Sequence, residues 1–413
     1  MANILVIKFG GTSVMTAERI KNAAKIVAEA SKHHRVVCVV SAMGHTTDEL
    51  LQVSSQVTAQ PDRRELDALL ATGEQMSATL MAMALQSLGL KAKSFSGVQA
   101  GILTDNQFGN ARITHVDSKS LERALKATTI PVVTGFQGFT GYGDITTIGR
   151  GGSDTTAIVL ASALKAERCD IYSDVDGVYS CDPRLVPNAS KLSVIPTSEM
   201  LELARGGAQI LNARSVEVAR DHNVKVRVRS TFVPGDEGTL VENDCIDRSF
   251  TGLALRSNLS RVELQLEKLE LATTRDLRSF PGRRMKTKRM LGELLAQSGI
   301  SAELVDPIKP NPFKLLVMTS KEDSVQAASI LQKAPICLKD IVVKTDVCAI
   351  SLVASQVNNE HYQECVEQLS QHKISLLATA MLEQRITLMV PLAMAKQAVN
   401  VLHAHFAGIV VAA

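Results

Sequence analysis

The stretch Lys8-Phe9-Gly10-Gly11-Thr12-Ser13 stands between a short apolar run and an amphipathic segment. The apolar run from Ile4 to Ile7 is typical of a buried strand, and Thr16 is a candidate N-cap for the helix that follows. A strand, a Gly-Gly turn and a helix N-terminus direct backbone N–H groups and a positive dipole end towards one point, which favours an anion such as phosphate. A plain turn is the alternative, because the spacing matches neither a Walker A loop nor the dinucleotide fingerprint.

The composition and net charge indicate to which classes of protein the chain can belong. The 413 residues are enough for more than one domain, and 45% hydrophobic residues provide for a sizeable core. A net charge of +3 and an aromatic content of 3%, without Trp, argue against a nucleic-acid partner. The seven cysteines form no C-x-x-C pair, which is typical of a reducing compartment. Without a leader or an apolar run of membrane length, the sequence predicts a cytoplasmic protein that does not enter a membrane.

Further candidate binding residues follow along the chain. The run Val36–Ser41 predicts a second strand, parallel to the first, that ends in a small polar loop. Because ligands of open α/β sheets bind at the carboxyl ends of strands, Ser41 and Thr47 are candidates, with helix capping an equal alternative for Thr47. Glu74, near the start of a predicted Ala/Leu/Met-rich helix, is either an exposed cap or the partner of an ammonium group.

The densest polar and glycine-rich stretch runs from Thr146 to Thr156, just before another predicted helix. In it, Arg150 suits bidentate binding of a carboxylate, and Asp154 could hold a lysine in place. A purely structural loop would hardly need so many glycines around an Arg and an Asp, so the pattern favours a binding site.

A strand that ends in acidic residues is predicted at Asp170–Asp176. The acids could serve magnesium, and Tyr179 and Arg184 in the following loop could contact a nucleotide. The alternative is a strand-end turn with solvated acids, which is the better interpretation for Asp176.

Three of these segments, in this order and spacing, resemble the aspartokinase family within the broader amino-acid kinase fold. They are Lys8–Ser13, Ile148–Thr156 and Ser173–Arg184, and the similarity covers about residues 2–242. The resemblance implies an α/β fold with a mostly parallel central sheet flanked by helices. It also implies ATP-dependent phosphorylation of the side-chain carboxylate of L-aspartate, with Mg2+ carried mainly by the phosphates. The product, 4-phospho-L-aspartate, would lead to lysine, threonine, methionine and diaminopimelate.

The resemblance further implies a role for each site residue. Lys8, with Gly10 and Gly11, holds the transferring phosphoryl group, and Asp154 orients that lysine. Arg150 binds the aspartate α-carboxylate. The implied substrate-binding residues are Thr47, Glu74, Arg150 and Ser153. The implied ATP-binding residues are Lys8, Phe9, Gly10, Gly11, Ser41, Ser173, Asp174, Tyr179, Arg184 and Gln209. The family usually has a lysine where Gln209 stands, so an uncharged donor replaces a charged one at the nucleotide.

The second half of the chain carries a repeated pattern. A change in composition near Val241–Thr251 predicts a boundary between a kinase domain, residues 1–245, and a second region, residues 246–413. A β-α-β-β-α-β order occurs there twice, about residues 250–335 and 336–413, and predicts two ferredoxin-like repeats. In the second copy we expect a first strand at Ala349–Val353 and a last strand at Gly408–Val411.

Aspartokinases carry two ACT domains at this position. The resemblance therefore implies a homodimer or higher homo-oligomer and an amino-acid effector such as lysine or threonine. The basic run Leu277–Arg289 stands in place of the usual Pro-Gly turn, and we interpret it as a solvated loop.

Two alternatives to an aspartate kinase stay open at this point. One is a related amino-acid kinase with another acyl substrate, since an acetylated substrate would not need Glu74 for an ammonium group. The other is a catalytically weak amino-acid sensor, against which Lys8, Arg150 and Asp154 argue because all three are present.

Overall fold

A computed structural model describes residues 2–233, 235–243, 248–267, 280–308, 311 and 313–409. The chain divides into two compact units. The first unit comprises residues 1–178, 191–201 and 209–246, and the second comprises residues 179–190, 202–208 and 247–413.

The predicted boundary after residue 245 falls on residues outside the described ranges and stays a prediction. Two segments that we assigned to the kinase domain, residues 179–190 and 202–208, group with the second unit instead. A boundary predicted from composition assumes that each domain is one continuous stretch of sequence. Here the segments of the two units alternate along the chain.

Short strands alternate with helices in the first unit, as the apolar runs predict. The strands are β1 (Ile4–Phe9), β2 (Arg35–Val40), β3 (Ala92–Phe95), β4 (Ile102–Thr104), β5 (Ile113–Val116), β6 (Ile130–Thr134), β7 (Gln137–Phe139), β8 (Ile145–Thr147), β9 (Arg168–Ser173), β10 (Val178–Tyr179), β11 (Lys191–Leu192), β12 (Val194–Pro196), β13 (Val226–Ser230) and β14 (Thr239–Glu242). The helices are α1 (Ala17–Ser31), α2 (Thr46–Val57), α3 (Arg63–Ser87), α4 (Lys119–Lys126), α5 (Gly152–Ala163), α6 (Thr197–Gly206) and α7 (Ala213–Asp221).

The central sheet has eight strands in the order β12-β14-β13-β9-β1-β2-β6-β3, and a second sheet has four in the order β5-β4-β7-β8. Around β1 the pairing is parallel, with β2 on one side and β9 on the other. Every residue of β1 is buried, as expected where helices cover both faces of a parallel sheet. The carboxyl ends of β1, β2 and β9 consequently lie side by side at one edge.

Two helices that bear on the predictions, α1 and α3, begin at side-chain caps. Thr16 accepts a hydrogen bond from the Arg19 N–H, which confirms it as the N-cap of α1. Asp62 caps α3 in the same way, so this helix begins eleven residues before Glu74 rather than just before it. The prediction that Glu74 lies near a helix start was wrong, and its carboxylate gains nothing from the dipole there.

Besides Tyr179 of β10 and residues 202–206 of α6, the described part of the second unit consists of six strands and four α-helices. Its strands are β15 (Gly252–Leu266), β16 (Ala302–Pro307), β17 (Lys314–Ser320), β18 (Leu338–Val353), β19 (Ala378–Met381) and β20 (Arg385–Pro391). Its helices are α8 (Phe280–Gln297), α9 (Ser324–Gln332), α10 (Asn359–Gln371) and α11 (Ala395–Ile409). The strands close a barrel in the order β15-β17-β16-β19-β20-β18.

Two ferredoxin-like repeats share the long strands β15 and β18. In the first repeat β18 pairs, through residues 338–347, with the second half of β15. In the second repeat the other half of β18 is the first strand, and Gly252–Arg256 of β15 pairs with Ala349–Val353 as the fourth. The expected last strand at Gly408–Val411 was therefore wrong as far as it is described, because α11 continues to Ile409.

The basic run was also predicted incorrectly where it is described. Residues 280–289 lie in α8, not in a loop, and residues 277–279 fall outside the described ranges. Arg289 does face solvent, where it pairs with Glu293 one helical turn later.

Candidate active site

Main-chain hydrogen bonds join the loop that follows β1 to the end of β9 and to the loop that follows β2. The Gly10 N–H donates to the Tyr172 carbonyl at 3.0 Å, and the Gly44 N–H donates to the Gly11 carbonyl at 3.1 Å. A Cβ on Gly11 would stand 2.9 Å from the Ala42 carbonyl oxygen, so a larger residue would push the first two loops apart. The Gly-Gly turn thus serves close packing between loops at the carboxyl edge of the sheet.

Lys8 and Asp154 form a buried ion pair. The Lys8 Nζ lies 2.6 Å from the Asp154 Oδ1, and the two side chains are 9% and 14% exposed. Lys8 lies near the end of β1 and Asp154 in the first turn of α5. The pairing expected from the sequence is present, and it holds the ammonium group at the edge where ligands of α/β sheets bind.

Glu74 is buried and only partly satisfied. Its Oε1 accepts a hydrogen bond from the Ala42 N–H at 2.9 Å, whereas its Oε2 has no partner among the described residues. Burial raises the pKa of this carboxyl to about 7. The alternative of an exposed cap is excluded, since the residue is only 3% exposed. An acceptor oxygen left open in a buried position suits a cationic ligand group.

Arg150 is presented by a loop of unusual backbone shape. The flanking Gly149 and Gly151 have φ angles of 83° and 70°, which L side chains rarely adopt. Arg150 is exposed and makes no hydrogen bond or ion pair with any residue that the structure describes. Its guanidinium is therefore available for a ligand carboxylate.

Ser153 lies buried at the N-terminal end of α5. A Cβ on Gly135 would stand 2.6 Å from its side chain, so Gly135 is needed to admit Ser153 at this place. Thr47, in the first turn of α2, is half-buried, and the N-cap position belongs to His45. Capping, one of the two interpretations of Thr47, is thus excluded.

The predicted nucleotide residues fall in both units. Ser41 and Ser173 are half-buried in the first unit, where Asp174 and Gln209 are exposed. Tyr179 and Arg184 belong to the second unit, where Arg184 donates to the Asp182 carboxylate at 2.7 Å. The roles of Tyr179 and Arg184 in nucleotide binding stay predictions.

Asp176 is not the solvated acid that we expected. Its carboxylate pairs with the Lys191 Nζ at 3.3 Å, and both side chains are partly buried. The partner could not be read from the local sequence, since Lys191 lies on a separate strand.

Two polar residues that sequence reasoning missed hold the loops of the site. Asp67 is 1% exposed, and its carboxylate accepts from the Thr147 N–H at 2.7 Å and the Gly109 N–H at 2.9 Å. The second missed residue is Arg214, whose guanidinium donates to three oxygen atoms around the Arg150 loop. Neither belongs to a motif, and the only local signal was a charged residue in an amphipathic helix.

The chain matches the model of the amino acid kinase family over residues 3–230. It is 49% identical over 263 residues to the aspartokinase of Bacillus sp. (strain MGA3), an alignment that covers 63% of this chain and 64% of the relative. It is 37% identical over 423 residues to an aspartokinase of Thermus thermophilus, covering 98% of both chains.

Among solved structures, the fold is similar to that of E. coli aspartokinase III. The complex of that enzyme with aspartate and ADP (R-state) gives a TM-score of 0.79 at 24% identity, covering 97% of this chain and 99% of the other. Its complex with lysine and aspartate (T-state) gives a TM-score of 0.73 at 25% identity, covering 98% of this chain and 99% of the other. Over the described ranges, no helix is long and apolar enough to cross a membrane.

Proposed function

The chain belongs to the aspartokinase family, within the amino acid kinase family, and we propose that it catalyses phosphoryl transfer from Mg-ATP to the side-chain carboxylate of L-aspartate. The observation that carries the proposal is the buried ion pair of Lys8 with Asp154 beside the Gly-Gly turn. The chain spans 64% of the length of the Bacillus aspartokinase that it matches.

Phosphoryl transfer requires the protein to align the two reactants and to compensate negative charge. An oxygen of the aspartate side-chain carboxylate attacks the γ-phosphorus, the bond to the β,γ-bridging oxygen breaks, and ADP departs with the electron pair. Negative charge spreads over the phosphoryl oxygens during this step, and a fixed cation there lowers the barrier. Lys8 supplies that cation, and the ion pair with Asp154 fixes its position.

The two ends of the amino acid substrate have matching groups. Arg150, without a partner in the described structure, would bind the α-carboxylate in a bidentate manner. The open Oε2 of Glu74 would accept a hydrogen bond from the α-ammonium group. Ser153 and Thr47 would complete the substrate site. Glu74 thereby favours a free amino acid over an acetylated one, because an acetylated nitrogen carries no charge to compensate a buried carboxylate.

The nucleotide would bind at Lys8, Phe9, Gly10, Gly11, Ser41, Ser173, Asp174 and Gln209 of the first unit. Among the described residues, no three or more His, Cys, Asp or Glu side chains are grouped to hold a metal ion. As the family resemblance implies, we expect magnesium to be carried mainly by the phosphates of ATP.

For the second unit we propose a regulatory function. Its two ferredoxin-like repeats correspond to the ACT repeats implied by the family resemblance, and the lysine complex of the E. coli enzyme supports an amino-acid effector. Lysine or threonine is the effector that we propose, together with a homodimer or higher homo-oligomer. A cytoplasmic location and a place at the entry to lysine, threonine, methionine and diaminopimelate synthesis complete the proposal.

The test is an assay with Mg-ATP in which hydroxylamine traps the acyl phosphate. We expect hydroxamate to form with L-aspartate but not with N-acetyl-L-aspartate. Hydroxamate formed faster from the acetylated acid would assign the chain to another acyl substrate. A folded protein that forms none with either acid, yet shows a thermal shift with lysine or threonine, would be a sensor and not an enzyme.

A further inference from the structure

We propose that Arg214 is a positioning residue for aspartate binding, and that it acts by holding the loop that carries Arg150. The inference rests on the proposed function, because it assigns to Arg150 the substrate carboxylate. Arg214 itself lies in the first turn of α7, outside the three motifs that carry the family resemblance.

The Arg214 guanidinium ties two loops together. Its Nη1 donates to the Ile148 carbonyl at 2.8 Å and to the Asn110 Oδ1 at 3.0 Å. Its Nη2 donates to the Ala111 carbonyl at 2.7 Å. Ile148 stands two residues before Arg150, so one side of the Arg150 loop is fixed directly by this guanidinium.

The other side of the loop packs against the residue that caps the same helix. Asn212 is the N-cap of α7, and its side chain accepts from the Arg214 N–H at 2.9 Å. A Cβ on Gly151 would stand 2.4 Å from the Asn212 Cβ, which shows how closely this loop approaches Asn212. The backbone of Arg150 is therefore held between two contacts from one helix turn, while its own side chain is free.

The bonding of Arg214 is unusual for a half-buried cation. All three of its acceptors are uncharged oxygens, and it forms no ion pair with any described residue. A guanidinium chosen for charge would normally have a carboxylate partner. The geometry of the guanidinium explains an arginine at this position better than its charge does, because the planar set of donors reaches three oxygens of two loops at fixed angles. A lysine could supply the charge but not this geometry.

The test combines R214M and R214K with R150A in a double-mutant cycle. Because a loop displacement of about 1 Å is enough to lose much of a well-oriented contact, we expect R214M to raise the KM for aspartate about tenfold. The KM for ATP and kcat should change less than about threefold, and R214K should lie between R214M and the unchanged protein. R220M is the matched control, since Arg220 on the same helix is exposed and bonds the neighbouring Asp221.

The cycle separates this inference from the proposed function. R150A alone tests the substrate site, and an unchanged KM for aspartate in that variant would refute the site itself. If R150A raises the KM, R214M should add little in the R150A background, because both changes remove one interaction. If R214M raises the KM for aspartate by the same factor in the R150A background as in the unchanged protein, the inference is overturned. An R214M protein with a normal KM for aspartate and only a lowered melting temperature would overturn it too. If R214M does not fold, R214K gives the same two readings.

Discussion

Two buried clusters of charged residues, one in each unit, differ in how completely they are satisfied. In the first unit Glu74 has an oxygen without a partner among the described residues, and Lys8 has one carboxylate partner at the ligand edge. In the second unit the buried Arg385 is fully engaged, with Glu202 at 2.8 Å and Glu303 at 3.2 Å. The open oxygen of Glu74 can accept a hydrogen bond from a ligand, whereas the complete set of partners around Arg385 indicates a structural role.

The largest expected effect is on the stability of the second unit, and it tests whether the buried Arg385 has a structural role. Arg385→Met removes a side chain that is 5% exposed and leaves two glutamates without it, so we expect a loss of about 3 kcal/mol in the free energy of unfolding. Urea denaturation followed by circular dichroism gives this quantity. Below the melting transition kcat should stay the same.

The control for Arg385 is Arg289→Met in the same unit. Arg289 makes an ion pair of 2.8 Å with Glu293, but the side chains are 82% and 57% exposed. We expect no measurable change in stability from it. A similar loss in both variants, or a collapse of kcat in a folded Arg385→Met protein, would contradict the division between structural and catalytic charge.

The second prediction concerns Lys8, the cation that we propose to act in catalysis. Lys8→Ala should lower kcat about a hundredfold or more, which is the usual effect of removing one donor from the transition state. Lys32→Ala is the matched control, because Lys32 pairs with Glu29 at the same 2.6 Å but with side chains 63% and 68% exposed. The steady-state rate of hydroxamate formation measures both. Equal rates in the two variants would mean that the phosphoryl group is held elsewhere.

The third prediction concerns the pH dependence that arises from the buried carboxyl group of Glu74. Burial raises the pKa of Glu74 to about 7, above its ordinary value of 4.5. The folded protein therefore retains a proton that the unfolded chain releases, and the free energy of unfolding should fall as pH rises from about 4.5 to about 7. Ionised Glu74 is the form that binds an ammonium group, so the KM for aspartate should fall as pH rises through this pKa.

Glu74→Gln should remove both pH effects, because glutamine does not titrate, and should raise the KM for aspartate at high pH about tenfold. A KM that keeps its pH dependence in this variant would assign the titration to another group.

Part of the candidate site could be predicted because its chemistry is local. Phosphate and carboxylate ligands demand particular residue types at neighbouring positions, and the pairing of Asp154 with a lysine could be predicted in that way. Glu74 was assigned to the wrong part of its helix although a signal was present, since Asp62 and Glu65 have capping-box spacing. The acceptors of Arg214 lie 66 to 104 residues away in the sequence, and no local pattern predicts such a contact.

The same limit applies to the prediction of the fold from the sequence. In the first unit β1, β2 and β9 and the helices α1 and α5 could be predicted from apolar runs beside Gly-rich turns. That β15 supplies the fourth strand of the second repeat could not be predicted, because the pairing of Gly252 with Val353 joins residues about a hundred positions apart. Such pairing depends on the packing of the whole barrel and not on the composition of either strand.

Isothermal titration of L-aspartate into the protein loaded with magnesium and a non-hydrolysable ATP analogue tests the central claim most directly. The claim is that Arg150 and Glu74 of the first unit bind the two ends of one aspartate. The unchanged protein should bind one aspartate per chain, and Arg150→Ala and Glu74→Gln should each weaken binding about tenfold or more, while the affinity for the nucleotide analogue stays the same. Undiminished aspartate binding in both variants would contradict the account.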